Sequence, residues 1–235
     1  VDFSMRILAI DTSTDCGGIA ILEEESVLAA LTLNLRKTHS QRLMRDVDFL
    51  LGECGLKARD FDAIAVACGP GSFTGVRIGM ACAKGLAFAN NTPIVGVSTL
   101  EALALHSAER GILLCPVLDA RRSEIFGAAY RLSEEAGKLN EVLAERAEPL
   151  EKFLNQITEP ALFSGDGAIK FADAIKARLG ANVRFAMPGR SLPSAVTVAL
   201  LGREKLARGE IGDIESLIPI YLREHDARLP DTKGT

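Results

Sequence analysis

The groups able to do chemistry in this chain gather where apolar runs end. Asp11-Thr12-Ser13-Thr14 sets an acid beside three hydroxyls after the run that begins at Arg6. A strand end of this kind is where a nucleotide's phosphates or a metal would be met in a sheet that binds one. The same residues serve equally well to satisfy turn amides. Cys68-Gly69-Pro70-Gly71-Ser72-Phe73-Thr74-Gly75 follows the apolar run Ala63 to Ala67 and opens a long helical pattern. Ser72 or Thr74 can cap its first amides, and the glycines let the backbone approach an anion or another chain. Asp119 ends a third run, and Asp166 stands between Gly165 and Gly167 after a fourth. A ligand edge and a helix-start turn account equally well for Asp166.

Metal and nucleophile chemistry are poorly supplied. His39, His106 and His225 fall on separate segments without ligand spacing, so no metal site is expected. His39 suits a polar loop or cap, and His106 a helix C-terminus. The five cysteines are scattered with no CxxC pair, which reads as buried free thiols. No Walker A motif occurs. A net charge of -4, no tryptophan and two tyrosines give neither a basic surface nor a stacking platform for nucleic acid. No apolar run approaches the roughly 20 residues of a membrane span, and the first residues lack the blocks of a signal peptide. A cytoplasmic location is the expectation, with Val1 to Ser4 set aside from the fold.

The elements that must position these groups come in two similar sets. Arg6–Asp11, Gly17–Leu22 and Val27–Leu33 read as a three-strand meander, followed by a helix from Ser40, its N-cap, to Glu53. The strand ending at Cys68, the helix to about Ala89, a strand at 93–97 and a helix opened by Ser98-Thr99-Leu100-Glu101 complete the first set. A second meander then starts: Leu113 to Asp119, Glu124 to Arg131, and Leu139 to Ala144. Helices at 150–157 and 168–179, strands at 161–164 and 183–186, and a helix at 193–208 with a mostly solvated face follow. The echo predicts a duplicated α/β architecture: a first lobe over 5–107, a smaller second lobe over 108–214, a segment over 215–225 docking on the first lobe, and a flexible tail over 226–235. Gly75, Gly79, Ala83 and Ala87 recur at every fourth position, a minimal stripe that lets another helix come close. From spacing alone, packing on its own sheet is favoured over contact with a second subunit.

Arg6-Ile7-Leu8-Ala9-Ile10-Asp11-Thr12-Ser13, Thr38-His39-Ser40, GPGSFTGVRIG, Gly96-Val97-Ser98-Thr99-Leu100, Asp119-Ala120-Arg121 and Pro219-Ile220-Tyr221-Leu222-Arg223 stand in an order that resembles the bacterial TsaB (YeaZ) family. The resemblance runs from Met5 to about Arg223. It implies two ribonuclease-H-like lobes of the actin-like ATPase superfamily, each a mixed sheet flanked by helices. It implies a non-catalytic subunit in the synthesis of N6-threonylcarbamoyladenosine in tRNA, binding the paralogous transferase TsaD and, with it, the ATPase TsaE, and dimerising when alone. Contact with tRNA would be indirect. TsaD-like relatives carry an HxxxH metal pair where this chain has Thr99 and Leu103. The resemblance places the partner surface on the first lobe's helices, at Leu43, Met44, Val47, Leu51, Gly75, Val76, Gly79, Met80 and Ala83. Asp11, Thr12, Ser13, Gly71, Ser72 and Thr74 would form a weak or vestigial phosphate site, with no tightly bound cofactor and weak ATP or ADP binding at most. A small-molecule kinase or ATPase of the same superfamily, using Asp11 and Asp119 around Mg-ATP, is the alternative.

Overall fold

Side-chain size along the first strand decides what covers each side of its sheet. Leu8 and Ile10 lie with Ile19, Ile21, Ile64 and Val66 on one face, and Ile7 and Ala9 lie with Ala20, Ala63, Ala65 and Ala67 on the other. Both faces are apolar, so the sheet must be covered twice. The computed structural model describes residues 5–35, 39–134 and 138–223. Arg36, Lys37, His225 and the expected tail over 226–235 lie outside the described residues, as do Val1 to Ser4.

The first lobe's sheet contains β1 (Arg6–Asp11), β2 (Cys16–Glu23), β3 (Ser26–Asn34), β4 (Ala63–Ala67) and β5 (Ile94–Val97), in the order β3-β2-β1-β4-β5. Strands β1 to β3 are antiparallel, while β4 and β5 continue parallel to β1. Helices α1 (Leu43–Glu53) and α2 (Phe73–Asn90) cover the large-residue face. Ser40 does not cap α1: residues His39–Gln41 form a single 3-10 turn, and the helix starts after Arg42 with no side-chain cap. Ser72 does cap α2, accepting the Gly75 amide at 3.2 Å.

The second sheet repeats the plan with β6 (Leu113–Asp119), β7 (Glu124–Leu132), β8 (Leu139–Pro149), β9 (Ala161–Ser164) and β10 (Val183–Phe185), in the order β10-β9-β6-β7-β8. Read from its other edge, this is the first sheet's order and sense. Helices α4 (Leu150–Leu154), α5 (Asp166–Lys170) and α6 (Ala172–Leu179) lie on this lobe. The last two replace the single helix expected over 168–179.

Two helices depart from the expected division. Helix α3 (Thr99–His106) has Ala102 in the first lobe's core, while Leu100, Leu103 and Ala104 pack with Leu114, Leu118 and Ala128 of the second. Helix α7 (Ala195–Ala207) returns to the first lobe, where Ala195, Val198, Ala199 and Leu201 fill the alanine face. The second lobe therefore stops short of the expected 214. The face of α7 expected to be solvated is half-buried at Arg203 and Lys205, because the sheet's alanines let the helix sit close. A Cβ on Gly202 would lie 2.6 Å from the Ala65 Cβ. The charged groups gather at its end, where Arg203 and Lys205 donate to the Glu24 and Gly96 carbonyls. No helix among the described residues is long and apolar enough to cross a membrane. The five cysteines are free thiols, with Cys16, Cys68 and Cys115 buried.

Candidate functional site

Both first strands end on an aspartate, and the two strand ends face one cleft of about 890 Å³. The first lobe lines it with Ser13, Thr14, Asp15 and the turn from Gly71 to Thr74. The second lobe supplies Asp119, Arg121, Arg122, Glu124 and Asp166, and the C-terminal segment closes one side with Ile220 to Arg223.

On the first lobe, most of the polar groups are spent on one another. Asp11 is buried, and its Oδ1 accepts from the Ser13 amide (2.9 Å) and hydroxyl (2.6 Å). Its Oδ2 has no hydrogen-bond partner among the described residues. Burial pushes this carboxyl above its ordinary value, against the pull of the Ser13 bonds. Thr12 donates its hydroxyl to the Gly75 carbonyl at 2.7 Å. His39 is buried against Gly17, its Nε2 2.7 Å from the Thr14 carbonyl and its Nδ1 3.3 Å from Arg42 Nη2. A carbonyl only accepts, so Nε2 carries the proton and Nδ1 receives the guanidinium's bond.

The glycines of the turn come close to this loop. A Cβ on Gly71, whose φ is +158°, would lie 2.2 Å from the Ser13 carbonyl oxygen, and one on Gly75 would lie 2.1 Å from that of Thr12. The Ser72 amide donates to the Ser13 carbonyl at 2.7 Å, and the Gly75 amide is capped. Of the six residues assigned to a phosphate site, Ser13, Gly71, Ser72 and Thr74 reach the cleft. Asp11 and Thr12 lie beneath it. The acid that would serve a Mg-nucleotide is turned inward by Ser13.

The second rim is more charged. Asp119 accepts from Lys170 Nζ (2.8 Å) and the Arg121 amide (3.0 Å). Burial draws its carboxyl upward, but these bonds and the two positive charges outweigh it and hold it below the ordinary value. Asp166 accepts from the Asp119 amide at 3.0 Å, and its burial pushes it up. Both the ligand-edge and the turn readings of Asp166 thus have a basis, since it lines the cleft and also fixes the strand end.

The residues assigned to a partner surface are mostly spent inside the monomer. Leu43, Val47, Leu51, Val76, Met80 and Ala83 belong to the first lobe's core, and Gly75 and Gly79 are buried. A Cβ on Gly79 would lie 2.3 Å from Thr12 Oγ1. The small-residue stripe is therefore the seat of β1's end, and only Met44, 54% exposed, points outward among the nine. The outward faces carry instead Asp48, Phe49, Ala81, Gly85 and Phe88. Cys82 Sγ lies 3.1 Å from Met44 Sδ, which makes the outer surfaces of α1 and α2 continuous.

Thr99 and Leu103 are both fully buried in α3. His106 bonds the Gly189 carbonyl at 3.1 Å, whereas His39 bonds that of Thr14. Among the described residues no group of three histidine, cysteine or acidic side chains could hold a metal. Sequence reasoning missed Phe73, Arg77, Tyr221, Arg223 and Glu145 as structural partners. Tyr221 and Arg223 stand in a motif it singled out, but Glu145 is linked to Ser98, 47 positions away, and no local pattern marks it.

Comparison with known proteins agrees with this geometry. The family model described as TsaD, tRNA N6-adenosine threonylcarbamoyltransferase, matches residues 27–230. The tRNA threonylcarbamoyladenosine biosynthesis protein TsaB of Bacillus subtilis is 38% identical over 226 residues, covering 95% of this chain and 96% of that protein. Its Escherichia coli namesake is 32% identical, covering 96% and 99%. The solved structure of YeaZ from Pseudomonas aeruginosa superposes with a TM-score of 0.77 at 31% identity, covering 93% of this chain and all of that one.

Proposed function

This chain belongs to the TsaB family of tRNA threonylcarbamoyladenosine biosynthesis proteins, and from that premise we propose that it is the non-catalytic, activating partner of the transferase TsaD, joined by the ATPase TsaE. The observation that carries this reading is helix α3. Its Thr99 and Leu103, which the resemblance sets where TsaD-like relatives carry a metal pair, are both fully buried, Leu103 in the core that α3 shares with the second lobe. A hydroxyl and an alkyl chain there cannot supply imidazole ligands. Its contribution to the reaction then comes through binding. The continuous outer surface of α1 and α2 is the face that suits TsaD, or a second copy of this chain in its absence, because paralogues that share a lobe can use one surface for both. Transfer RNA would be met by the assembled complex, given this chain's net charge of -4.

The cleft supports a second, subordinate reading: weak binding of ATP or ADP, with Ser13, Ser72 and Thr74 toward the phosphates. Its size suits a nucleotide. A kinase or ATPase working through Asp11 and Asp119 is less well supported, because Asp11 is buried against Ser13 and Asp119 is engaged by Lys170. Reconstitution separates the readings. Modification of tRNA by the adenylate-forming synthase, TsaD and TsaE should depend on this chain, which should turn over no ATP alone. ATP hydrolysis or phosphoryl transfer by the isolated chain would overturn the non-catalytic assignment.

A further inference from the structure

The C-terminal segment is gripped very differently by the two lobes. On the first lobe the grip is backbone and apolar. Gly212 donates its amide to the Ile94 carbonyl (2.8 Å) and Ile220 to that of Cys68 (2.7 Å), while Ile214, Leu217 and Ile220 pack on the core. Gly69 must be a glycine here, since at φ +106° its Cβ would lie 2.9 Å from the Ile220 carbonyl oxygen. Tyr221 extends the anchor: its ring centre is 5.5 Å from that of Phe73 and its hydroxyl accepts from Arg77 Nε at 2.8 Å. On the second lobe the grip seen among the described residues is polar and made by a side chain. Arg223 donates to the Glu124 carboxylate and to the Arg121 carbonyl. Both lie at the β6–β7 turn, where Arg121, Arg122 and Ser123 have φ of 67°, 51° and 64°. Three non-glycine residues in succession seldom adopt that region.

We propose that residues 220–223 are a latch across the interlobe cleft, anchored on the first lobe and clipped to the second through Arg223, and that release of the clip opens the cleft. The asymmetry sets the release point. Arg223 and Glu124 are 33% and 36% exposed, so the pair is weak and screened by salt. The anchor at Ile220 is buried backbone pairing. Strain in the receiving turn favours its rearrangement once the guanidinium leaves.

Hydrogen–deuterium exchange on the full chain tests this, comparing the wild type with Arg223→Gln, Glu124→Gln and the swap Arg223→Glu/Glu124→Arg. Each single substitution should speed exchange several-fold at both rims, residues 71–74 and 120–124, with the Ile220 amide still protected. High salt should do the same to the wild type, and the swap, which restores the ion pair but not the bond to the Arg121 carbonyl, should slow both rims relative to the single variants. The proposal fails if only residues 221–223 quicken while both rims stay slow. It fails also if Ile220 loses protection together with Arg223, or if the swap leaves both rims as fast as the single variants do.

Discussion

Gly75 and Gly85 lie on the same helix in opposite surroundings. At Gly75 a methyl group would meet the Thr12 carbonyl oxygen at 2.1 Å, whereas at Gly85 it would meet nothing within 4 Å. Gly75→Ala should therefore destabilise the chain by about 1–3 kcal/mol through overpacking against backbone. Gly85→Ala should stabilise it by about 0.5–1 kcal/mol, since alanine is the better helix former. Urea unfolding of the two variants reads both signs. Gly79→Phe belongs with the first case: a ring at that position would be driven into Thr12 and Ile10, so loss of the fold and not of assembly alone is the expected result.

Among the elements, α2 has two sides with separate duties. Its inner side, Gly75, Gly79, Ala83 and Ala87, seats the helix against the core and the end of β1. Its outer side, with Ala81, Gly85 and Phe88, adjoins Met44 of α1 and is open to solvent. If that outer side receives TsaD or a second copy, Gly85→Arg should leave the unfolding midpoint at or above the wild-type value while weakening both associations at least tenfold. Sedimentation equilibrium, alone and with TsaD, measures this. Undiminished association in both would move the interface to another element.

At the scale of the whole molecule, α3 and the half-buried Glu145 join the lobes, in addition to the C-terminal segment. Glu145 on β8 accepts from Ser98, the N-cap of α3, and from Tyr130 at 2.9 Å. Burial pushes its carboxyl above the ordinary 4.5, helped by the charges of Glu101 and Glu141 and opposed by the two hydroxyl bonds. The folded state thus holds this proton more tightly than the unfolded one, so its contribution is fullest below pH 4.5 and is lost as pH rises through the folded value. Glu145→Gln keeps an acceptor and removes the titration. Its stability relative to the wild type should increase with pH above 4.5, a trend that denaturation at several pH values would reveal. The cleft between the lobes carries the remaining expectation, ATP binding weaker than micromolar by calorimetry with magnesium present. Submicromolar binding would make the nucleotide a resident ligand.

The duplicated α/β plan was legible in the sequence because hydrophobic periodicity and turn chemistry are local. Asp11 and Asp119 each follow an apolar run, the runs recur in the same order, and the observed sheets repeat one strand order. Ser72 as a cap and Arg6–Asp11 as a strand could be read in the same way. The direction in which each side chain is spent could not, because it depends on partners distant along the chain. Gly71 and Gly75 signalled a close approach, but only packing shows that what comes close is the chain's own Thr12 and Ser13. Spacing drew the small-residue stripe and favoured its packing inside the lobe, where the structure has it, whereas the resemblance had set it on a partner surface. Helix α7 returns to the first sheet because that sheet's second face is lined with alanine and must be covered. Pairings such as Ser98 with Glu145 and Glu124 with Arg223, the latter 99 positions apart, exist only once two lobes have folded and met.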